Sequence, residues 1–184
     1  MPRFYSKRIM FREYRREDAG EMYQWVNNPE ITATLNDSLF FYPQGIEYVD
    51  NFINDRIMHR SCSFVIADLK DESYIGQIDL FNMDYRNGFA ELGIVLSHKI
   101  LFDQGIGEEA VRLMLDIAFK KMNLHRIELN VYDFNQRAIA CYKKCGFLQE
   151  GIQRKRHFKN GRYVDIINMA ILREDCQSNG EAAV

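Results

Sequence analysis

Apolar and polar residues alternate along several short stretches of the chain, the pattern of β-strands that bury one face. This alternation predicts strands at Arg8–Tyr14, Ser63–Leu69, Tyr74–Phe81, Phe89–Ser97 and Arg126–Tyr132. Turn-forming residues separate the second, third and fourth of these, so we expect an antiparallel meander there. Near the C-terminus, Leu148–Lys159 and Arg162–Leu172 flank Asn160–Gly161, a dipeptide that favours a two-residue hairpin turn.

A helical spacing of apolar residues replaces the alternation in four other stretches. It predicts helices from Asp18 to Trp25 and over Tyr42–His59, Gly107–Met122 and Asn135–Cys145. Asp18 and Asn135 are expected to cap the first and the last of these helices, and Gly146 to end the last one.

The order of these elements predicts an α+β fold (mixed α/β). In it, about four helices flank a central, mixed, mostly antiparallel sheet of about seven strands. No repeat or linker divides the chain, so we expect one domain over residues 1–176. The final segment, residues 177–184, has nothing large to bury and is expected to be a disordered tail.

Composition and charge exclude several classes of protein. With 184 residues, 47% of them hydrophobic and 27% charged, the chain can bury a core and is too apolar to be wholly disordered. Its formal net charge of -2 gives no overall attraction to nucleic acid or to an anionic membrane. The sequence has neither an apolar run of about 18 residues nor an apolar segment after the basic N-terminus. We therefore expect a cytoplasmic protein that spans no membrane.

The four cysteines indicate packed thiols rather than a disulfide framework or a zinc site. Cys62 and Cys176 are far from every other cysteine, and only Cys141 and Cys145 are close enough to share a helix face. No second pair of Cys or His residues lies at ligand spacing. No metal is expected.

The segment Phe102–Gly107 gives the first indication of a ligand. Gly105 and Gly107 stand where a predicted helix begins, and the first backbone N–H groups of a helix have no internal acceptor. A phosphate could approach this backbone closely, but two glycines in a tight turn explain the pattern equally well. Glu108 and Glu109 favour the helix N-terminus electrostatically, yet they would repel a phosphate unless their side chains turn away.

A second motif follows one strand later. The pattern N-x-x-A-x-x-x-Y-x-K-x-G-F is filled by Asn135, Ala138, Tyr142, Lys144, Gly146 and Phe147. With this pattern the chain, over about residues 8–172, resembles the GNAT superfamily of acetyl-CoA-dependent N-acetyltransferases. The segments Trp25–Glu30 and Phe158–Asp165 resemble the branch that contains ribosomal-protein N-terminal acetyltransferases and spermidine/spermine acetyltransferases.

The resemblance implies where acetyl-CoA, the co-substrate, would bind. The phosphate loop of the family reads Q/R-x-x-G-x-G/A; its first position is Phe102 here, which lacks a side-chain donor, and Gln104 offers a partial substitute. The strand before the loop would pair with the pantetheine arm, and a backbone N–H near Val95 would stabilise the oxyanion. The implied cofactor-binding residues are Ile94, Val95, Leu96, Phe102, Asp103, Gln104, Gly105, Ile106, Gly107, Asn135, Ala138 and Lys144.

The motif favours Tyr142 as the general acid, because a phenol can protonate the departing thiolate. Without the motif, its position on the inward helix face would indicate a core aromatic residue. A base is also needed, since a primary amine is mostly protonated at neutral pH. Glu91 is the best candidate, although the alternation also allows it to face solvent; Glu30 and Asp79 are weaker candidates. None of the four histidines is assigned a role.

The predicted activity is acetyl transfer from acetyl-CoA to a primary amine by direct attack in a ternary complex. A polyamine and a protein N-terminus, such as that of a ribosomal protein, are the expected acceptors; an amino-sugar or a small metabolite or drug amine stays open. Several acidic residues could attract a polycation: Glu30, Asp37, Glu47, Asp50 and Asp55. The aromatic segment Leu39–Tyr42 could cover the contact of a homodimer or an acceptor pocket.

Two other functions stay open. A GNAT-like protein that binds acyl-CoA without turnover would fit the missing donor at Phe102. A nucleic-acid-binding module would use the basic segment Arg154–Lys159. On a strand, however, this segment would send its side chains to both faces, and the chain has no net positive charge.

Overall fold

Eight strands form the sheet of the computed structural model, which describes residues 3–35, 42–59, 61–159 and 161–178. The strands are β1 (Phe4–Tyr5), β2 (Ile9–Arg12), β3 (Cys62–Asp68), β4 (Tyr74–Asp84), β5 (Phe89–Leu96), β6 (Arg126–Tyr132), β7 (Leu148–Lys159) and β8 (Arg162–Leu172). Their order in the sheet is β1-β2-β3-β4-β5-β6-β8-β7. Pairing is parallel between β5 and β6, and antiparallel in β1–β2, β2–β3, β3–β4, β6–β8 and β7–β8. The predicted mixed, mostly antiparallel sheet is confirmed, with the short β1 as an additional strand.

Six α-helices lie in the described part of the chain. They are α1 (Ala19–Val26), α2 (Pro29–Thr32), α3 (Ile46–Met58), α4 (Ile106–Asp116), α5 (Gln136–Lys144) and α6 (Arg173–Ser178). A π-helical turn at Ile117–Lys121 continues α4. The apolar spacing does not predict α2 and α6, because four and six residues are too few to show a helical period.

The chain divides into two compact units. The first unit comprises Met1–Leu80 and Ile94–Leu113, and the second comprises Phe81–Gly93 and Met114–Val184. Strands β4 and β5 and helix α4 each have residues in both units. The assignment of residues 1–176 to one domain stays a prediction. Helix α6 ends at Ser178, and residues 179–184 of the predicted tail lie outside the described residues.

The core of the first unit forms where α1 and α3 pack together over β2 and β3. Trp25 of α1 and Val49 and Ile53 of α3 join Met10 and Val65 in one buried cluster. Helix α3 begins at Ile46, later than predicted, because Gly45 before it is still extended. Two residues of the predicted apolar stripe are exposed at the ends of this helix, Ile46 at 41% and Ile57 at 46%.

Asp18 precedes α1, but its side chain does not cap that helix, so this expectation is wrong. The Asp18 carboxylate is buried and accepts two hydrogen bonds from the Arg12 guanidinium, at 2.8 and 2.7 Å. It also accepts one from the backbone N–H of Arg15. Burying Arg12 would be costly without a paired carboxylate, and the ion pair outweighs the helix cap.

Candidate active site

The loop between β5 and α4 is the segment in which the sequence predicts a phosphate site. Asp103 and Gly105 have positive φ angles of 59° and 76°, so the chain turns sharply just before the helix. Helix α4 begins at Ile106, which places Gly107 in its first turn rather than at its start. The N–H groups of such a first turn have no acceptor within the helix and carry the positive end of its dipole.

Both acidic residues of that first turn are paired with arginines. Glu108 lies 3.0 Å from Arg112, one turn along α4. Glu109 accepts hydrogen bonds from the backbone and side chain of Arg8, each at 2.8 Å. Burial alone would raise the pKa of Glu109, but the hydrogen bonds from Arg8 lower it below its usual value. Neither carboxylate therefore presents an uncompensated negative charge at the helix N-terminus.

Other predicted loop residues are used to build the loop. Phe102 is half-buried and packs against the core cluster of the first unit, as does Val95. The side-chain amide of Gln104 donates to the carbonyl oxygen of Ile100 at 2.5 Å. One of the two N–H donors of the Gln104 amide is therefore used within the loop, and its role as a substitute for position 102 stays a prediction.

The predicted pantetheine-binding residues Ile94, Val95 and Leu96 are half-buried at the end of β5. Parallel pairing of β5 with β6 covers only the three pairs that end at Glu91 and Glu128. Both strands continue beyond this point, β5 to Leu96 and β6 to Tyr132. Within the described residues, the backbone of β6 is thus paired on the β5 side only at its start.

Helix α5 begins at a side-chain cap. The Oδ1 atom of Asn135 accepts a hydrogen bond from the backbone N–H of Ala138 at 3.3 Å, so the predicted N-cap is confirmed. This contact uses the oxygen of the Asn135 amide and leaves its nitrogen available as a donor. Ala138 is half-buried in the first turn, and Lys144 is exposed at the end of the helix.

The end of α5 fixes Tyr142. Gly146 has a φ angle of 100° and donates to the Lys143 carbonyl, while Phe147 donates to the Tyr142 carbonyl, each at 3.0 Å. These two bonds form a Schellman motif, in which the residue after the glycine packs on the last turn of the helix. The rings of Phe147 and Tyr142 accordingly lie 5.8 Å apart. Burial raises the pKa of Tyr142, so its phenol keeps its proton at neutral pH.

Two of the three candidate bases, Glu91 and Glu30, lie near the surface in different surroundings. Glu91 is half-buried and accepts a hydrogen bond from the Asn82 amide at 2.9 Å. Glu30 is exposed and forms an ion pair with Lys99.

Asp79 is the third candidate base, and its pKa is raised toward neutrality. Burial raises the pKa of Asp79 to about 6, against hydrogen bonds from Ser63 and Gln77 that lower it. Ser63 also bonds the buried hydroxyl of Tyr14 at 3.2 Å, so Asp79 belongs to a polar network inside the first unit. Sequence reasoning ranked Asp79 low because this network does not show in the sequence.

The family of the chain follows from a match that spans most of its length. Residues 8–148 match the family model described as an acetyltransferase (GNAT) domain. The chain belongs to the GNAT acetyltransferase family. This confirms the resemblance read from the helix motif, and the GNAT fold is confirmed with it. The asparagine, glycine and phenylalanine of the GNAT motif are here the N-cap and the C-terminal cap that position Tyr142.

Relatives of this GNAT protein include polyamine acetyltransferases. A spermidine N(1)-acetyltransferase of Vibrio cholerae is 31% identical over 96% of this chain and 99% of its own. A putative ribosomal N-acetyltransferase of Bacillus subtilis, YdaF, is 31% identical over 58% of each chain. The crystal structure of a Vibrio cholerae spermidine N-acetyltransferase in complex with CoA and spermine matches with a TM-score of 0.81 and 27% identity. That match covers 92% of this chain and 98% of the other. The predicted branch of the GNAT family is confirmed.

The basic segment of β7 and the four cysteines of this GNAT chain were also singled out in the sequence. In the basic segment of β7, Lys155 has a φ of 53° and lies where the register with β8 shifts. The ring of Phe158 packs edge-on against Tyr163. None of the four cysteines forms a disulfide, and burial raises the pKa of Cys62 to about 11.

The described part of the chain has neither a metal-binding cluster nor a membrane-spanning helix. Among them no group of three or more His, Cys, Asp or Glu residues could hold a metal ion. No helix in that part of the chain is long and apolar enough to cross a membrane. Asp37 and residues 39–41 of the aromatic segment lie outside the described residues.

Proposed function

We propose that this protein transfers the acetyl group of acetyl-CoA to a primary amine of a polyamine, without a metal or a covalent acyl-enzyme. The observation that carries this proposal is the match to a spermidine acetyltransferase along nearly the whole of both chains. A protein that shared only the cofactor-binding half would match over that half alone. The long match therefore favours a polyamine over the protein N-terminus that YdaF, with its shorter match, would indicate.

The residues predicted from the sequence take the following roles in the proposal. The backbone of Asp103–Gly107 holds the pyrophosphate, supported by the turn at Gly105 and the start of α4. The backbone of Ile94–Leu96 pairs with the pantetheine arm. The amide nitrogen of Asn135 donates to the same arm, Ala138 gives it room, and Lys144 attracts the anionic part of the cofactor.

The chemistry proceeds by direct attack. Glu91 takes a proton from the amine, whose nitrogen then attacks the thioester carbonyl. A backbone N–H near Val95 donates to the oxyanion that forms. When the intermediate collapses, the C–S bond breaks and Tyr142 gives its proton to the CoA thiolate. The nitrogen loses its second proton in the same stage, and this proton restores the Tyr142 phenol, so Glu91 holds the one proton that the whole reaction releases. Burial raises the pKa of Tyr142, so the phenol carries at neutral pH the proton that a general acid must give.

Acidic side chains of the first unit support a cationic acceptor. Glu47 and Asp50 of α3 are exposed. Glu30 of α2 and Asp55 of α3 are also exposed, but they already contact Lys99 and His59. Such carboxylates raise the local concentration of a polycation at low ionic strength. The homodimer and the cytoplasmic location stay predictions.

The test is release of the CoA thiol from acetyl-CoA in the presence of different amines. We expect turnover with spermidine and spermine, and much less with peptides that have a free N-terminus or with amino-sugars. Turnover with peptides alone would contradict the polyamine proposal. CoA binding without turnover on any amine would favour the non-catalytic alternative.

The same assay tests Glu91. Glu91→Gln should lower kcat by roughly 10² to 10⁴ while leaving the Kd for CoA unchanged, because only proton transfer is removed. Glu128→Gln is the matched control, since Glu128 is the register partner of Glu91 on β6. An unchanged kcat in Glu91→Gln would exclude Glu91 as the base.

A further inference from the structure

One arginine outside the phosphate loop holds the loop in place. Arg8 lies just before β2, about a hundred residues away along the sequence. Its Nη1 atom donates to the carbonyl oxygen of Gln104 at 2.8 Å, and its Nε atom donates to Glu109 at 2.8 Å. The Arg8 side chain therefore joins the residue before Gly105 to the first turn of α4.

The remaining terminal nitrogen of Arg8 points at the glycine of the loop. A Cβ atom built on Gly105 would lie 3.4 Å from Nη2 of Arg8. Nη2 takes part in none of the contacts with Gln104 and Glu109. The Arg8 side chain as a whole is 50% exposed.

At the position where the family motif has Gln or Arg, this chain has a side chain without a hydrogen-bond donor. Phe102 occupies that position and packs into the core of the first unit. The amide of Gln104 is turned to the carbonyl of Ile100. Arg8 has the fixed, planar set of donors that the motif residue would otherwise provide.

We propose that Arg8 is the cationic side chain of this phosphate loop: it positions the loop through Gln104 and Glu109 and donates from Nη2 to the pyrophosphate of CoA. The proposal rests on the proposed use of acetyl-CoA. It accounts for Phe102, because a donor from another strand takes over the task of the first motif position. It also accounts for Glu109, whose charge beside a bound phosphate is compensated by the same guanidinium.

The experiment compares three variants of the full chain. Arg8→Gln removes the charge and the fork of donors, and Arg8→Lys keeps the charge alone. Arg16→Gln is the matched control, because Arg16 is an exposed arginine of the first unit that belongs neither to the loop nor to α4. Each variant is titrated with CoA and with pantetheine, which lacks the pyrophosphate. Hydrogen exchange of the peptide that contains residues 102–107 is measured without ligand.

Arg8→Gln should weaken CoA binding by about tenfold or more and leave pantetheine binding unchanged, since only CoA carries the pyrophosphate. It should also speed exchange in the loop peptide, and kcat at saturating acetyl-CoA should stay near that of the wild type. Arg8→Lys should recover part of the CoA affinity, and Arg16→Gln should behave as the wild type. Equal losses for CoA and pantetheine, or equal losses in Arg8→Gln and Arg16→Gln, would overturn the proposal.

The two proposals fail in different ways. A wild-type protein that does not bind CoA overturns the proposed function and the phosphate contact of Arg8 together. The exchange rate of the loop peptide still decides the positioning role, because it is measured without ligand. Normal CoA binding in Arg8→Gln overturns the phosphate contact alone.

Discussion

Gly76 on β4 and Val95 on β5 approach so closely that no side chain fits between them. A Cβ atom built on Gly76 would lie 2.2 Å from the carbonyl oxygen of Val95. The obstacle is backbone rather than the end of a flexible side chain, so the strand itself would have to move. Gly76 therefore sets the position of the β5 segment that we propose for the pantetheine arm.

Gly76→Ala should destabilise the fold by about 1–3 kcal/mol and weaken CoA binding, because β5 must shift to admit the methyl group. Urea unfolding and CoA titration check both effects. Gly20→Ala in α1 is the control, since nothing lies within 4 Å of its added Cβ atom. It should be neutral or slightly stabilising. Equal stability of the two variants would contradict the argument.

Tyr142→Phe tests the general acid. Removing the hydroxyl should lower kcat by roughly 10² to 10⁴, while the KM for acetyl-CoA changes little. The ring packing with Phe147 is kept, so thermal unfolding should be near that of the wild type. Tyr163→Phe, at an exposed site, is the comparison and should keep full activity. A fully active Tyr142→Phe would leave Tyr142 with a packing role only.

Asp79 should make stability depend on pH. Burial raises its pKa in the folded protein to about 6, above the value of about 3.9 in an unfolded chain. Between about pH 4 and pH 6 the folded state thus holds a proton that the unfolded state has lost, and the free energy of unfolding falls as pH rises. Asp79→Asn should remove this decline and be more stable than the wild type at pH 7, by about 1–2 kcal/mol.

Urea unfolding at several pH values checks this, with Asp84→Asn as the contrast. Hydrogen bonds from the backbone and side chain of Asn87 lower the pKa of Asp84, so this carboxylate stabilises the fold at neutral pH and its contribution is lost as pH falls. The two variants should therefore differ from the wild type in opposite directions at pH 7. Parallel pH profiles for Asp79→Asn and the wild type would contradict the prediction.

The stability of the C-terminal cap of α5 should depend on Gly146. Gly146→Ala forces a φ angle of 100° on a residue with a Cβ atom and should cost roughly 1–2 kcal/mol. Gly146→Asn should cost less, because asparagine tolerates positive φ better than alanine. Unfolding and turnover are measured for both, and kcat should fall with stability if Tyr142 moves. Equal stability of the two variants would refute this ordering.

The sequence predicts local structure well and long-range partners poorly. The bounds of β6, β7 and β8 agree with the structure residue for residue, because alternation and turn residues are local signals. The Asn135 cap and the role of Gly146 were also accessible, since a motif and a helix boundary coincide there. The sequence could not show that Asp18 pairs with Arg12 instead of capping α1, because this pairing follows from the burial of Arg12.

Arg8 shows the same limit at the candidate site. A basic residue near the N-terminus carries no local signal of contact with a loop about a hundred residues later. The contact depends on the register that brings β2 and the start of α4 together in the first unit. The contact between Arg8 and the loop is therefore visible only in the three-dimensional structure.

The early end of the β5–β6 ladder has a consequence for inhibitor design. Strand β6 is paired with β8 along its whole length, from Arg126 to Tyr132, whereas among the described residues its β5 side is paired only as far as Glu128. An inner strand whose ladder ends early on one side is a place where another extended backbone can pair. We therefore expect extended molecules with amides at strand spacing to bind there more readily than compact ones.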